Sequence, residues 1–323
     1  MTVITSPYEY IENDLYVDLS AMVDSSLYLK CEGFNFAGSV KLKPALAMVE
    51  AAEREGRLTP GSTLVESSSG NLGVAISVIA ASKGYRFVCV TDHRCNRATE
   101  RAMTALGATV QVITEPNPVT GFLGARIDRV RALCASDSRY VWLDQYANEN
   151  NWLSHFTLTA PSIARAFPDV DVVFIGAGTT GTLMGCARWF AGWNENVRIV
   201  AVDSVGSVTF GGPAGVRMIP GLGTSIRPDM VDESVIDDVV MVGEPDTVRM
   251  CHLLARRGFL FGGSTGTVVS GAVRWLDEHD SHDLKCVAIS PDLGERYVDT
   301  IYRSDWASAI LDQEVHAAVG VPV

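Results

Sequence analysis

The chain has 323 residues, 47% of them apolar and 20% charged, with a formal net charge of -12. That length exceeds what one hydrophobic core fills, so two lobes sharing a cleft are expected, and the ordinary globular composition argues against long disordered tails. The negative balance gives nucleic acid no broad electrostatic footprint. Neither a signal-peptide pattern at the start nor an apolar run of membrane-spanning length is visible, so no membrane partner is expected. The seven cysteines are odd in number, scattered and without a C-x-x-C pair. They read as reduced thiols of a cytoplasmic protein rather than disulfides or zinc ligands.

In chain order, a strand-like end at Cys31 and Glu32 leads through a Gly-Ser turn to Lys41. An isolated lysine is ordinarily a solvated charge, but this one falls on a loop where desolvation would make it nucleophilic and basic. Lys43, two residues on, is a second possible amine; the spacing from the glycine turn favours Lys41. From about residue 60, short β-branched runs at 63–67, 86–91, 110–114, 141–144, 170–176, 198–203 and 286–290 read as strands. Helical patterns at 71–83, 96–106, 123–134, 150–166, 182–191 and 246–257 alternate with them, the signature of parallel sheet wrapped by helices. Arg94, with Arg97 and Arg101, reads as helix surface. The Asn-rich stretch 145–152 is the expected crossing between a smaller lobe, 44–149, and a larger one made of 1–43 and 150–323.

Two loops between these elements carry chemistry. Ser67-Ser68-Ser69-Gly70-Asn71 follows a strand and opens a helix. Serines there are commonly caps, yet three with Gly-Asn exceed what capping requires and suit an amino-acid carboxylate. The second loop, Gly176-Ala-Gly178-Thr179-Thr180-Gly181-Thr182, also joins a strand to a helix start, where backbone N–H groups and the helix dipole favour an anion. Read as G-x-G-x-x-G with Asp203 ending the next strand, it fits a dinucleotide and an NAD-dependent dehydrogenase. Read as 178–182 alone, its three hydroxyls suit a single phosphate monoester better than a buried pyrophosphate. The histidine pair His279 and His282 sits in a polar helix end and reads as a solvated turn, so no metal is expected. His155 stands out only for its neighbours Trp152 and Tyr146.

Taken together, Asn35-Phe-Ala-Gly-Ser-Val-Lys41, Glu66-Ser-Ser-Ser-Gly-Asn-Leu-Gly73, Gly178-Thr-Thr-Gly-Thr182, Pro220-Gly-Leu-Gly-Thr224 and Pro291-Asp-Leu-Gly-Glu-Arg-Tyr297 resemble the cysteine synthase family of fold-type II pyridoxal phosphate enzymes. A narrower resemblance, in 145–155, 201–208, 262–266 and 296–306, is to the branch that makes N-(2-amino-2-carboxyethyl)-L-glutamate from O-phosphoserine and glutamate, towards 2,3-diaminopropionate. The resemblance implies an α/β, tryptophan synthase β-like fold of two lobes, each with a mostly parallel sheet. It implies a homodimer acting on small amino acids, with pyridoxal 5'-phosphate held by Lys41, its phenolic oxygen contacted by Asn71 and its phosphate cradled by Gly178, Thr179, Thr180, Gly181 and Thr182. Ser67, Ser68, Ser69 and Gly221 would face substrate, and Arg126 and Tyr146 would select it.

Several positions depart from the family pattern. Phe36-Ala37 replaces the usual proline or threonine before the lysine. Asp292 stands where cysteine synthases have serine, leaving Ser264 as first candidate and Asp292 as second for the pyridine nitrogen. At Gly178 the narrower branch can show a serine. A cysteine synthase using sulfide, or a non-enzymatic scaffold, is the alternative within the fold.

Overall fold

The computed structural model describes residues 3–319. Ten strands form two sheets: β1 (Tyr16–Asp18), β2 (Leu27–Cys31), β3 (Thr63–Ser67), β4 (Arg86–Asp92), β5 (Thr109–Ile113), β6 (Tyr140–Trp142), β7 (Val172–Gly176), β8 (Arg198–Ser204), β9 (Asp238–Val242) and β10 (Cys286–Ser290). The larger sheet runs β1-β2-β10-β7-β8-β9 and the smaller β5-β4-β3-β6. Every pairing is parallel except β1 with β2. Central strands β3, β7 and β10 are buried almost throughout. Both their faces are covered by helices, which is why they read as unbroken apolar runs rather than as alternation.

All seven runs expected as strands are strands. The pattern does not pick out β1, β2 and β9, nor the helices Leu42–Arg54, Gly263–Glu278 and Ser304–Val319. Pro44 sits in the first turn of Leu42–Arg54, where a missing N–H costs nothing. Asn71–Lys83 is apolar on nearly every side because residues 72–80 are all buried, and Gly84 at φ +77° ends it. The single helix expected at 150–166 is instead Glu149–Ser154, a π turn His155–Thr159, and Ala160–Ala166. Pro161 explains the break: it cannot donate to the carbonyl four residues back and its ring crowds that carbonyl, so the turn before it widens.

Parallel strands send their following loops out at one edge. The segments after β2, β3, β4, β6, β7, β8 and β10 therefore converge on one cleft between the two sheets, the place where open α/β sheets bind ligands. Among the described residues no helix is long and apolar enough to cross a membrane, no metal-holding cluster occurs, and all seven cysteines are free.

Candidate active site

The cleft is lined on one side by Lys41, Ser264, Pro291 and the 178–182 turn, and on the other by Ser67, Ser68, Ser69, Asn71, Arg126 and Tyr146. The first-choice residues singled out in the sequence for cofactor or substrate, Gly221 included, all border this one space, whereas the two second choices, Lys43 and Asp292, do not.

Lys41 caps the helix Leu42–Arg54 and enters the cleft at the end of a turn that is bonded at almost every residue. Asn35 Nδ2 donates to the carbonyls of Glu32 (3.0 Å) and Ser39 (2.9 Å), while its Oδ1 accepts from Ala37 N (2.9 Å). Gly38 turns the chain at φ +66°, and Arg296 Nη2 donates to its carbonyl at 3.3 Å and to that of Ala37 at 3.1 Å. Val40 N donates to Pro291 O at 2.7 Å. The lysine is thus fixed to the loop after β10. Burial pushes its amine down to about 8, against the pull of the Asp292 carboxylate.

Lys43 is settled differently. Its Nζ is paired with Glu32 at 2.6 Å and bonds Thr159 Oγ1 at 3.1 Å. It is 2% exposed and does not reach the cleft, so Lys41 is the amine available for chemistry.

In the serine loop the capping reading holds for one residue of three. Ser68 Oγ accepts from the N–H groups of Gly73 (3.0 Å) and Gly70 (3.3 Å). Ser67 Oγ is buried with no partner, and Ser69, also on the cleft wall, makes no side-chain bond among the described residues. A buried hydroxyl without a partner, such as that of Ser67, is uncommon, and Ser67 and the half-buried Ser69 both border a cleft where an anion would satisfy them.

The 178–182 turn opens the helix Gly181–Trp193. Thr180 holds φ +67°, a left-handed conformation that a β-branched residue adopts only under local constraint. Asn151 supplies part of that constraint, donating to Gln145 O (2.7 Å) and Thr179 Oγ1 (3.1 Å). A Cβ on Gly178 would lie 2.8 Å from the Gly221 carbonyl, and one on Gly221 would lie 2.1 Å from Ser264 Oγ. The 220–224 segment thus lies close against the turn, and Asp203, the residue a dinucleotide would need at its ribose, is fully buried.

Between the two candidates for the pyridine nitrogen, Ser264 lines the cleft and Asp292 does not. The Asp292 carboxylate lies behind it, its Oδ2 accepting from Asn71 Nδ2 at 2.8 Å and from the Tyr297 hydroxyl while its buried Oδ1 has no partner among the described residues. Burial raises its pKa despite those two donors.

One expectation about arginine needs correction. Arg94 is exposed but not on a helix: it lies in the turn before the helix Arg97–Ala105 and lines the cleft, with its guanidinium on Asp92. Arg126, expected to select substrate, lines the cleft from a buried position: it is 6% exposed, its Nε stands 3.3 Å from Asp92 Oδ2, and its Nη1 has no partner among the described residues. Burial works against charge on Asp92, but the Arg94 and Arg126 guanidiniums prevail and hold it below the usual carboxylate range. Arg217, on the excursion after β8, also lines the cleft, held by Gly206 O and by Ser225 Oγ at 3.2 Å. No sequence signal marked it.

A lysine opposite unspent hydroxyls and an anion-binding turn defines a pyridoxal phosphate site, and residues 16–292 match the family model for pyridoxal-phosphate dependent enzymes. The chain belongs to that family and has its fold-type II architecture. It is 38% identical over 308 residues to the N-(2-amino-2-carboxyethyl)-L-glutamate synthase of Ralstonia nicotianae, covering 94% of this chain and 91% of that protein. It is 37% identical over 315 residues to the synthase of the same name from Cupriavidus metallidurans, covering 95% and 92%. Among solved structures, a hydrogen sulfide-producing enzyme from Fusobacterium nucleatum superposes with a TM-score of 0.86 at 29% identity, covering 91% of this chain and all of that one. O-ureido-L-serine synthase does so with 0.85 at 30%, covering 95% and 100%. The cofactor is pyridoxal phosphate, and the residues present fit it: a buried amine, a constrained turn at a helix start, and a hydroxyl at Ser264 on the same cleft wall.

Proposed function

We propose that this chain joins O-phospho-L-serine to the α-amine of L-glutamate, releasing phosphate and giving N-(2-amino-2-carboxyethyl)-L-glutamate. The observation that carries the reading is the charge of the cleft wall. Lys41, Arg94, Arg126 and Arg217 line it, and among the described residues no carboxylate does. O-phosphoserine brings a phosphate and a carboxylate, and glutamate brings two carboxylates, so each has charges for these cations to meet. Sulfide and an acetyl ester would leave most of them unused. The two curated relatives, synthases of this product by name, support the same reading.

Pyridoxal phosphate, when bound, supplies an electron sink that lets the Cα–H bond of an amino acid break. Lys41 would hold it through the amine, Asn71 would reach its phenolic oxygen, Ser264 its ring nitrogen, and Gly178, Thr179, Thr180, Gly181 and Thr182 its phosphate. Ser67, Ser69 and Asn71 grip the substrate carboxylate beside Gly221, with Ser68 holding the loop in shape, while Arg126 and Tyr146 select the donor and acceptor. Lys41, once free, takes the Cα proton and later returns it. An amine with a pKa of about 8 is suited to both directions near neutral pH. The Cβ–O bond breaks as phosphate leaves, and the glutamate nitrogen then bonds Cβ. The smaller lobe, 44–149, closes to keep water from intercepting the three-carbon fragment. The working unit is a homodimer in the cytoplasm, where seven free thiols are at home.

The visible spectrum of the holoenzyme tests this. O-phosphoserine should shift the cofactor band, and glutamate should restore it where sulfide does not. Restoration by sulfide alone would make the enzyme a cysteine synthase.

A further inference from the structure

The last hydroxyl of the phosphate turn is connected to a buried salt bridge that no substrate touches. Thr182 Oγ1 lies 3.2 Å from His155 Nε2, and His155 Nδ1 lies 3.0 Å from Thr159 Oγ1. Thr159 Oγ1 is in turn 3.1 Å from Lys43 Nζ, which pairs with Glu32. His155 and Thr159 are completely buried.

The direction of each bond follows from what each group can do. An ammonium only donates, so Thr159 Oγ1 accepts from Lys43. The single proton of Thr159 then has one acceptor among the described residues, His155 Nδ1. Burial, with the positive charges of Lys43 and Lys41, holds His155 well below the ordinary imidazole range, so the ring is neutral and carries one proton. With Nδ1 accepting, that proton is on Nε2 and is donated to Thr182 Oγ1. Thr182 must therefore direct its own hydroxyl proton away from the ring, and its side of the turn borders the cleft.

The local fold is built around this contact. His155 opens the π turn that ends at Thr159, and a Cβ on Gly185 would come within 2.7 Å of the His155 Cβ. Glycine there lets the helix Gly181–Trp193 approach closely enough for Thr182 to reach the ring.

We infer that Lys43, Thr159 and His155 form a relay of fixed hydrogen-bond polarity, set at the Glu32 salt bridge, that presents the Thr182 hydroxyl as a donor to the cofactor phosphate. The inference rests on the reading that the 178–182 turn holds that phosphate. A hydroxyl left to itself can donate or accept; one preset to donate needs no reorganisation when the anion arrives. His155 is a positioning residue in this scheme.

Nitrogen NMR of the histidine-labelled holoenzyme reads the tautomer directly, and phosphorus NMR reads the bound cofactor. The expected result is a neutral His155 with its proton on Nε2. Thr159→Val, which keeps the shape and removes the hydroxyl, should lose that pure tautomer, move the cofactor phosphorus resonance and weaken pyridoxal phosphate binding about fivefold. Thr157→Val, removing an exposed hydroxyl of the same turn that bonds only the Leu153 and Ser154 carbonyls, should change neither signal. A proton on Nδ1 in the unaltered protein overturns the relay. Thr182→Val separates the two layers of the argument. If it leaves the phosphorus resonance unmoved, the placement of the phosphate is wrong. If it moves the resonance while Thr159→Val moves neither signal, the relay alone is wrong.

Discussion

The two loops that face each other across the cleft are built on opposite principles. Around the turn from Asn35 to Lys41, side chains of Asn35 and Arg296 make five bonds to the backbone of Glu32, Ala37, Gly38 and Ser39, and Val40 is tied to Pro291. In the loop from Ser67 to Asn71, Ser68 alone spends its hydroxyl on the backbone, and Ser67 and Ser69 keep theirs. On the proposed function the first loop positions one covalent attachment point and must not move, while the second receives an anion that comes and goes, which is what donors held back from the backbone suit.

The comparison can be broken at its rigid side first. Lys41→Ala should reduce turnover by about a thousandfold or more while leaving the thermal transition nearly unchanged; retention of full activity in a steady-state assay would end the mechanism. Asn35→Ala, which touches no substrate, should cost about 2 kcal/mol in urea unfolding because three bonds of the turn are lost, and should loosen the cofactor as well. On the receptive side, Arg126→Met should lower kcat/KM by about tenfold through the acceptor and donor anions, read by initial rates at varied O-phosphoserine and glutamate. Ser67→Ala is the smallest in stability, within about 0.5 kcal/mol of the parent or slightly above it, since a partnerless hydroxyl is removed, yet its substrate KM should rise. Equal stability losses at Asn35 and Ser67 would erase the distinction.

The acidity of Lys41 sharpens the same point. Its amine attacks only when neutral, and burial brings the folded value from the usual 10.5 down to about 8. Capture of pyridoxal phosphate by the cofactor-free protein, followed by absorbance, should therefore accelerate as pH rises towards 8 and level off above it. A rise continuing towards pH 10 would mean an ordinary exposed lysine.

How much of this was legible in the chain depends on whether a feature is local. Among the seven strand runs, β3, β4, β7, β8 and β10 declare themselves because strands buried on both faces have no polar alternation to hide in, while the edge strands β5 and β6 are marked by β-branched and aromatic residues instead. The lysine turn, the serine loop and the 178–182 turn are contiguous, so their residue types and order are visible together. Arg94 and Arg217 are not: what brings them to the cleft is the placement of loops after β4 and β8, and a lone arginine carries no mark of that. Arg126 was picked out through resemblance, while its burial against Asp92 is purely tertiary. Asp292 shows the limit from the other direction. A carboxylate in the family's serine position invites a direct role, whereas the fold turns it towards Asn71 and Tyr297.

Lys43 sits two residues from the amine that does the work, on the same turn of chain and with the same chemistry. What separates them is burial and pairing, with Glu32 holding Lys43 at 2.6 Å and Thr159 Oγ1 accepting from it at 3.1 Å. A reactive aldehyde entering this protein thus meets one nucleophile and not two. On the proposed function, fidelity of attachment rests on withholding the wrong amine as much as on offering the right one, and the Glu32 pairing does the withholding.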